Sequence, residues 1–159
     1  MRSYRRILSL IDLTENGESV ARRGLQLARM YNAALALSVI VDYTPGFESD
    51  HVPFRTPQQM RDAIVRDVKS KLDGIIAAIG AGGAEAVVVA ASTPRAMAEI
   101  AKVWQPDLVL VGSHAPRILQ QPAASAVGGN ATLPFDVLTV QVGRPSLAGR
   151  LVNALSTAF

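Results

Sequence analysis

The feature that most constrains the fold of this chain is the stretch Asp107–Ala115, which reads D-L-V-L-V-G-S-H-A. Residues 108–111 form an uninterrupted apolar run, which is typical of a strand covered on both faces of a parallel sheet. Gly112, Ser113 and His114 follow at once. In open α/β sheets, ligands bind at the carboxyl ends of such strands. These three residues are therefore the first candidates for a functional site.

Composition limits the classes to which the protein can belong. The chain has 159 residues and is 49% apolar, which fits one domain with a core of its own. It has no cysteine, so disulfides and thiolate metal sites are excluded. The net charge is +3 with basic and acidic residues interspersed, which predicts a solvated surface and no nucleic-acid partner. The sequence shows no signal-peptide pattern and no apolar run near the roughly 20 residues of a membrane helix, so we expect a cytoplasmic protein with no membrane partner.

Apolar strands alternate with helical patterns along the chain, which predicts a five-stranded parallel sheet with helices on both faces. The predicted strands are Tyr4–Asp12, Ala34–Asp42, Glu85–Ala91, the Asp107–Gly112 part of the opening stretch, and Asp136–Val142. The predicted helices run from a cap at Thr14 or Asn16 to about Tyr31, from Thr56 to about Ile79, from Thr93 to Trp104, and over about Ala123–Thr132.

Several local signals fix the ends of these helices. Thr56 followed by proline and by Gln59 is a capping box, and Thr93 before a proline repeats the pattern of a cap and an early proline. Asn32 is predicted to end the first helix in the left-handed conformation. Gly24 lies in the middle of that helix, where we expect it to allow close packing on the sheet.

Enzyme classes find little support in the sequence. It has no cysteine nucleophile and no G-x-S-x-G motif. The two histidines, His51 and His114, lie in different predicted loops and lack the spacing of metal ligands. A receiver domain would need an aspartate ending the third strand and a lysine ending the fifth, where this chain has Ala91–Ser92 and Gly143. We therefore predict no catalytic residue and no metal site.

Four segments, taken in order, resemble the universal stress protein family. They are Y-R-R-I-L-S-L-I-D-L-T at the start, V-I-V-D at the end of the second strand, T-P at the start of the third helix, and D-L-V-L-V-G-S-H. The later L-P-F-D-V-L-T-V is similar to the last strand of that family. The resemblance covers about residues 4–142 and rests on the order and spacing of these segments together.

The resemblance implies a Rossmann-like fold of the adenine nucleotide alpha hydrolase-like type and a homodimer. It implies a universal stress protein domain over residues 1–143, followed by a C-terminal extension over residues 144–159. Within that extension, leucines at 147, 151 and 155 predict a short amphipathic helix. One subclass of the family binds ATP through G-x2-G-x9-G-[ST], with the first acid contacting the nucleotide and the second strand touching adenine. The UspA-like subclass lacks the full motif.

This chain departs from the ATP-binding pattern. Gly112 supplies the first glycine, and Ala115 stands in place of the second. Nine further residues lead to Ser125, whereas alignment from the end of the fifth strand places Ala123 and Ala124 at that point, and neither register has Gly-Ser or Gly-Thr there. The candidate nucleotide contacts implied by the resemblance are Asp12, Ile40, Gly112, Ser113, His114, Ala115 and Ser125. Each of them also has a purely structural interpretation, such as helix capping for Asp12 or core packing for Ile40.

These observations lead to one main hypothesis and two alternatives. We predict a UspA-like stress protein that acts by interaction rather than turnover, with little or no ATP binding and no obligatory cofactor. We expect its homodimer to form through Asp136–Val142, where neither charge nor proline interrupts residues 137–142. One alternative is a universal stress protein that binds ATP or AMP with a degenerate motif and hydrolyses ATP slowly. The other is a small α/β enzyme whose site takes another anion, for which His114 is the only candidate base.

Overall fold

The computed structural model describes residues 3–42, 56–115 and 134–143. Their five strands form one sheet in the order β3-β2-β1-β4-β5, and every pair of neighbours is parallel. The strands are β1 Arg6–Leu10, β2 Ala34–Val41, β3 Glu85–Ala90, β4 Leu108–Gly112 and β5 Asp136–Val140. The described helices are α1 Glu15–Tyr31, α2 Pro57–Ala78 and α3 Thr93–Val103. The predicted helix at 123–132 and the C-terminal extension lie outside the described residues.

The sheet separates two apolar clusters, so helices cover both of its faces as predicted. Consecutive residues of β1 point to opposite faces, and Ile7 and Leu8 accordingly belong to different clusters. Helices α1 and α2 pack on the cluster that contains Ile7, and α3 packs on the cluster that contains Leu8. All five residues of β4 are buried, which confirms the interpretation of its apolar run.

The ends of the helices match the sequence signals with one exception. Thr14 caps α1, and Asn32 ends it in the left-handed conformation, with φ at 53°. Both hydrogen bonds of the capping box link Thr56 and Gln59 at the start of α2. The predicted cap of α3 is wrong, because Ser92 is the N-cap residue and Thr93 already lies within the helix.

All five strands are shorter than predicted, because a strand ends where its neighbour stops pairing with it. The register joins Arg6 to Ala34 at one end of the β1–β2 ladder and Leu10 to Ser38 at the other. Strand β5 ends at Val140 rather than at Val142, whose N–H donates to a serine side chain instead of a strand carbonyl.

The amino ends of the strands are held by a polar network. The Asp107 carboxylate accepts hydrogen bonds from the backbone N–H groups of Arg5 and Arg6, at 2.8 and 3.0 Å. The Arg6 guanidinium lies 4.2 Å from the centre of the Trp104 ring, and the indole N–H donates to Glu85 at 3.1 Å. Asp107 therefore stabilises the amino end of the sheet, whereas the candidate site lies at the carboxyl end.

Candidate functional site

The strand order reverses between β1 and β4, which makes their carboxyl ends the topological switch point of the sheet. We use the term switch point for residues 11–14 and 112–115. Asp12 follows β1, and His114 lies in the turn after β4. The register of the two strands, with Leu10 beside Val111, brings these two side chains together. His114 Nε2 lies 2.5 Å from Asp12 Oδ2.

The other oxygen of the Asp12 carboxylate is held by the start of α1. Oδ1 accepts hydrogen bonds from the backbone N–H of Thr14 at 3.0 Å and from the Thr14 hydroxyl. The same hydroxyl oxygen accepts from the N–H of Gly17, so Thr14 links the carboxylate to the first turn of the helix. Both oxygens of Asp12 therefore have partners within the protein.

These contacts determine the charge of Asp12. Partial burial of the carboxyl opposes ionisation, but the hydrogen bonds from Thr14 and His114 outweigh it and hold the pKa of Asp12 below its usual range. An ionised carboxylate only accepts hydrogen bonds, so His114 Nε2 carries the proton between the two side chains. Asp12 also places a negative charge at the positive end of the α1 dipole, where Glu15 and Glu18 add two more.

Two glycines make room for this pair. A Cβ on Gly17 would lie 1.9 Å from the Asp12 carbonyl oxygen, and a Cβ on Gly112 would lie 2.3 Å from the His114 ring. Among the described glycines only Gly80 and Gly143 have positive φ, so Gly112 is needed for space rather than for its backbone conformation. Gly112, at the end of β4, thus leaves room for the ring of the histidine two residues later.

Ser113 and Ala115 are occupied by hydrogen bonds inside the fold. The N–H of Ser113 donates to the Val140 carbonyl at 2.8 Å, and its hydroxyl oxygen accepts from the N–H of Val142 at 3.0 Å. The N–H of Ala115 donates to the Gly112 carbonyl at 3.0 Å and closes a turn. Ala115 does not have positive φ, so its backbone conformation does not call for glycine.

The remaining sequence candidates are not part of the Asp12–His114 contact. Ile40 is half-buried and packs against the apolar cluster on the α3 face. Ser125 lies outside the described residues. Sequence reasoning identified Thr14 as a cap but missed its contact with Asp12, and it missed Gly17. The spacing D-x-T-x-x-G between a strand and a helix is the signal that could have indicated both.

The described residues contain neither a cluster of metal-ligating side chains nor a helix that could span a membrane. No group of three or more histidine, aspartate or glutamate side chains in residues 3–42, 56–115 and 134–143 is placed to hold a metal ion. In the same part of the chain, no helix has the length and apolar character needed to cross a membrane.

Comparison with known proteins gives a family and a fold. Residues 3–134 match the model of the universal stress protein family. No curated protein sequence matches the chain. Among solved structures, UspA from Lactobacillus plantarum aligns with a TM-score of 0.63 and 16% identity, over 88% of this chain and 99% of that one.

Two other similar structures are complexes with nucleotides. A universal stress protein in complex with cAMP aligns with a TM-score of 0.52 and 21% identity, over 89% of this chain and 100% of that one. The universal stress protein from Archaeoglobus fulgidus in complex with dAMP aligns with a TM-score of 0.53 and 17% identity, over 87% of this chain and 98% of that one. At these identities the likeness supports the α/β fold.

Proposed function

Since the chain belongs to the universal stress protein family, we propose that it is a UspA-like member that takes part in the stress response of the cytoplasm as a non-catalytic homodimer. It acts through contacts with other proteins and binds little or no ATP. The proposal of little or no ATP binding rests on one observation: the hydrogen-bonding groups of Ser113 and Ala115 are already engaged within the fold. Homodimerisation is proposed through Asp136–Val142.

The hydrogen bonds of the turn after β4 explain why a triphosphate finds few partners. Phosphate sites in α/β sheets are built from backbone N–H groups that point at the ligand. Here the N–H groups of Ser113 and Ala115 already donate to the Val140 and Gly112 carbonyls. Binding phosphate through them would require those internal bonds to break.

The charge around the switch point also disfavours a triphosphate. Residues 11–21, 107–115 and 134–143 contain no lysine or arginine, whereas Asp12, Glu15 and Glu18 are acidic. Between the described parts, residues 116–133 contain one basic residue, Arg117. A site that binds several phosphate charges is ordinarily rich in arginine and lysine.

Calorimetry with ATP and magnesium tests this proposal. At about 0.1 mM protein the method detects binding free energies of roughly 5.5 kcal/mol or more, and we expect no binding heat. A variant with Ala115→Gly and Ala124→Gly restores glycine near both turns of the family motif and is the matched comparison. Micromolar affinity of the unmodified protein for ATP would overturn the proposal.

A second candidate function is the binding of an adenine mononucleotide. It is favoured by the position of Asp12 at the switch point, since the resemblance assigns the first acid to nucleotide contact. The structures described with cAMP and dAMP support the same ligand class. A mononucleotide carries fewer charges than ATP and makes smaller demands on the turn after β4.

Titration with AMP and cAMP tests the second candidate. We expect Asp12→Asn to weaken binding, because the amide replaces an acceptor oxygen with a donor. Asp73→Asn, which removes an equal charge from the exposed surface of α2, is the control and should leave the affinity unchanged. Equal affinities of both variants and the unmodified protein would exclude Asp12 from the site.

A further inference from the structure

The Asp12 carboxylate has little capacity left for a ligand. A carboxylate has two oxygens with about four lone-pair sites in all. Oδ1 accepts two hydrogen bonds from Thr14, and Oδ2 accepts one from His114 at 2.5 Å. The Thr14 bonds belong to the cap of α1, so breaking them would disturb the helix. The contact with His114 is the one that can open at smaller cost.

The inward position of His114 depends on its neighbours in the sequence. The ring fits over Gly112 because that residue has no Cβ, and the nearest other side chain to that space is Val20. The His114 side chain is 28% exposed and that of Asp12 is 42% exposed, so solvent reaches both sides of the contact. A rotation of the His114 ring out of this position would uncover Oδ2.

We propose that the Asp12–His114 contact is an autoinhibitory latch: His114 covers the acceptor oxygen of Asp12, and a ligand binds at the switch point only by displacing it. The inference rests on the second candidate function and specifies its regulation. The ligand class is a molecule that donates hydrogen bonds to a carboxylate, such as the ribose hydroxyl pair of an adenine nucleoside or mononucleotide.

A ligand and His114 compete for the Asp12 carboxylate. Thr14 and His114 take three of the about four lone-pair sites of Asp12, so a ligand that donates two hydrogen bonds, as a ribose hydroxyl pair does, must break the bond from His114. Its apparent affinity is then its intrinsic affinity multiplied by the fraction of molecules in which the latch is open. Removing His114 removes this competitor without changing the Asp12 acceptor. The affinity for the ligand should then rise by about tenfold or more, since hydrogen bonds to charged groups are among the stronger ones.

The test measures AMP and adenosine binding to the unmodified protein, His114→Ala, Gly112→Ala and the double variant His114→Ala with Asp12→Asn. We expect tighter binding to His114→Ala and, because the added Cβ pushes the ring outward, to Gly112→Ala as well. The double variant should not show this increase in affinity, because it lacks the Asp12 acceptor. His51→Ala, which changes the other histidine, is the control, and melting curves establish that each variant is folded.

The contact itself is tested without ligand, from nuclear Overhauser effects of the His114 ring protons. The latch predicts effects between these protons and the Gly112 α protons in the unmodified protein, and weaker effects in Asp12→Asn. Absence of these effects in the unmodified protein would overturn the latch. Weaker binding of AMP to His114→Ala would also overturn the latch, because it would show that His114 contacts the ligand. The proposal of mononucleotide binding would then still stand. If no variant binds AMP or adenosine, the second candidate function fails together with the latch.

Discussion

At the scale of single residues, Asp12 links the stability of the fold to pH. Its pKa is lower in the folded chain than its usual value of about 3.9 in an unfolded one. The carboxylate therefore contributes stability that is fully present above that usual value and is lost as the pH falls through the lower, folded pKa. We expect Asp12→Asn to destabilise the protein at pH 6 and to do so progressively less toward pH 3.

Urea unfolding at a series of pH values between 6 and 3 measures this effect. The control is Asp73→Asn, which removes the same charge from an exposed position on α2. The stability difference between Asp12→Asn and the unmodified protein should shrink with falling pH, and that for Asp73→Asn should stay small throughout. A pH-independent cost of Asp12→Asn would contradict the assigned pKa direction.

A second residue-scale prediction concerns the pair Gly112 and His114. The Cβ introduced by Gly112→Ala would lie 2.3 Å from the imidazole ring, so the ring must move, and we expect a cost of about 1–3 kcal/mol. In a His114→Ala background the cost should fall, leaving only the milder contact with Val20 at 3.2 Å. A double-mutant cycle by urea unfolding measures this coupling, and strictly additive costs would show that the ring does not lie over Gly112 in solution.

At the scale of elements, two helical glycines test the packing of α1 on the sheet. A Cβ on Gly24 would lie 2.0 Å from the Ser9 hydroxyl oxygen, in a position buried between α1 and β1, whereas one on Gly74 in α2 would meet nothing within 4 Å. We expect Gly24→Ala to cost about 1–3 kcal/mol, because the close approach of helix and strand is lost. Gly74→Ala should instead stabilise by about 0.5–1 kcal/mol through helix propensity.

Thermal or urea unfolding of the two variants gives the comparison directly. Both variants replace a helical glycine with alanine. The difference between their changes in the free energy of unfolding therefore measures the effect of packing separately from that of helix propensity. A stabilising Gly24→Ala would mean that α1 lies farther from β1 than the structure has it.

The elements differ in how much of them the sequence could predict. The capping box at Thr56 and the stop at Asn32 are local chemistry and were predicted correctly. The cap of α3 was not, because Ser92 and Thr93 both precede Pro94 and either hydroxyl residue suits the position. Strand ends were overestimated because pairing partners set them, and a partner lies far away in sequence.

The candidate site also depends on contacts between residues that lie far apart in the sequence. Asp12 and His114 were both singled out from the sequence, but their contact was not predicted. They are 102 positions apart, and only the register between β1 and β4 brings them together. Local sequence patterns do not contain that register. The engagement of Ser113 by β5 has the same origin, since it depends on the β4–β5 pairing.

At the scale of the whole molecule, the outer edge of β5 is where we expect a second copy to bind. Strand β5 is last in the order of the described strands, and its residue Leu138 is 37% exposed. The N–H of Asp136 donates to the Asp107 carbonyl, on the side of β4. Since N–H groups alternate between the two sides of a strand, those of Val137 and Thr139 point away from β4. An edge of this kind can pair with its own copy about a two-fold axis.

This geometry gives a matched pair of proline variants. Thr139→Pro removes an N–H from the outer edge and should weaken the dimer while leaving the melting temperature of the monomer nearly unchanged. Leu138→Pro removes an N–H that faces β4 and should lower the melting temperature, because it breaks a bond within the sheet. Sedimentation of both variants beside the unmodified protein at micromolar concentration separates the two effects. An unmodified protein that sediments only as a monomer, or a Thr139→Pro variant that dimerises normally, would exclude this edge as the interface.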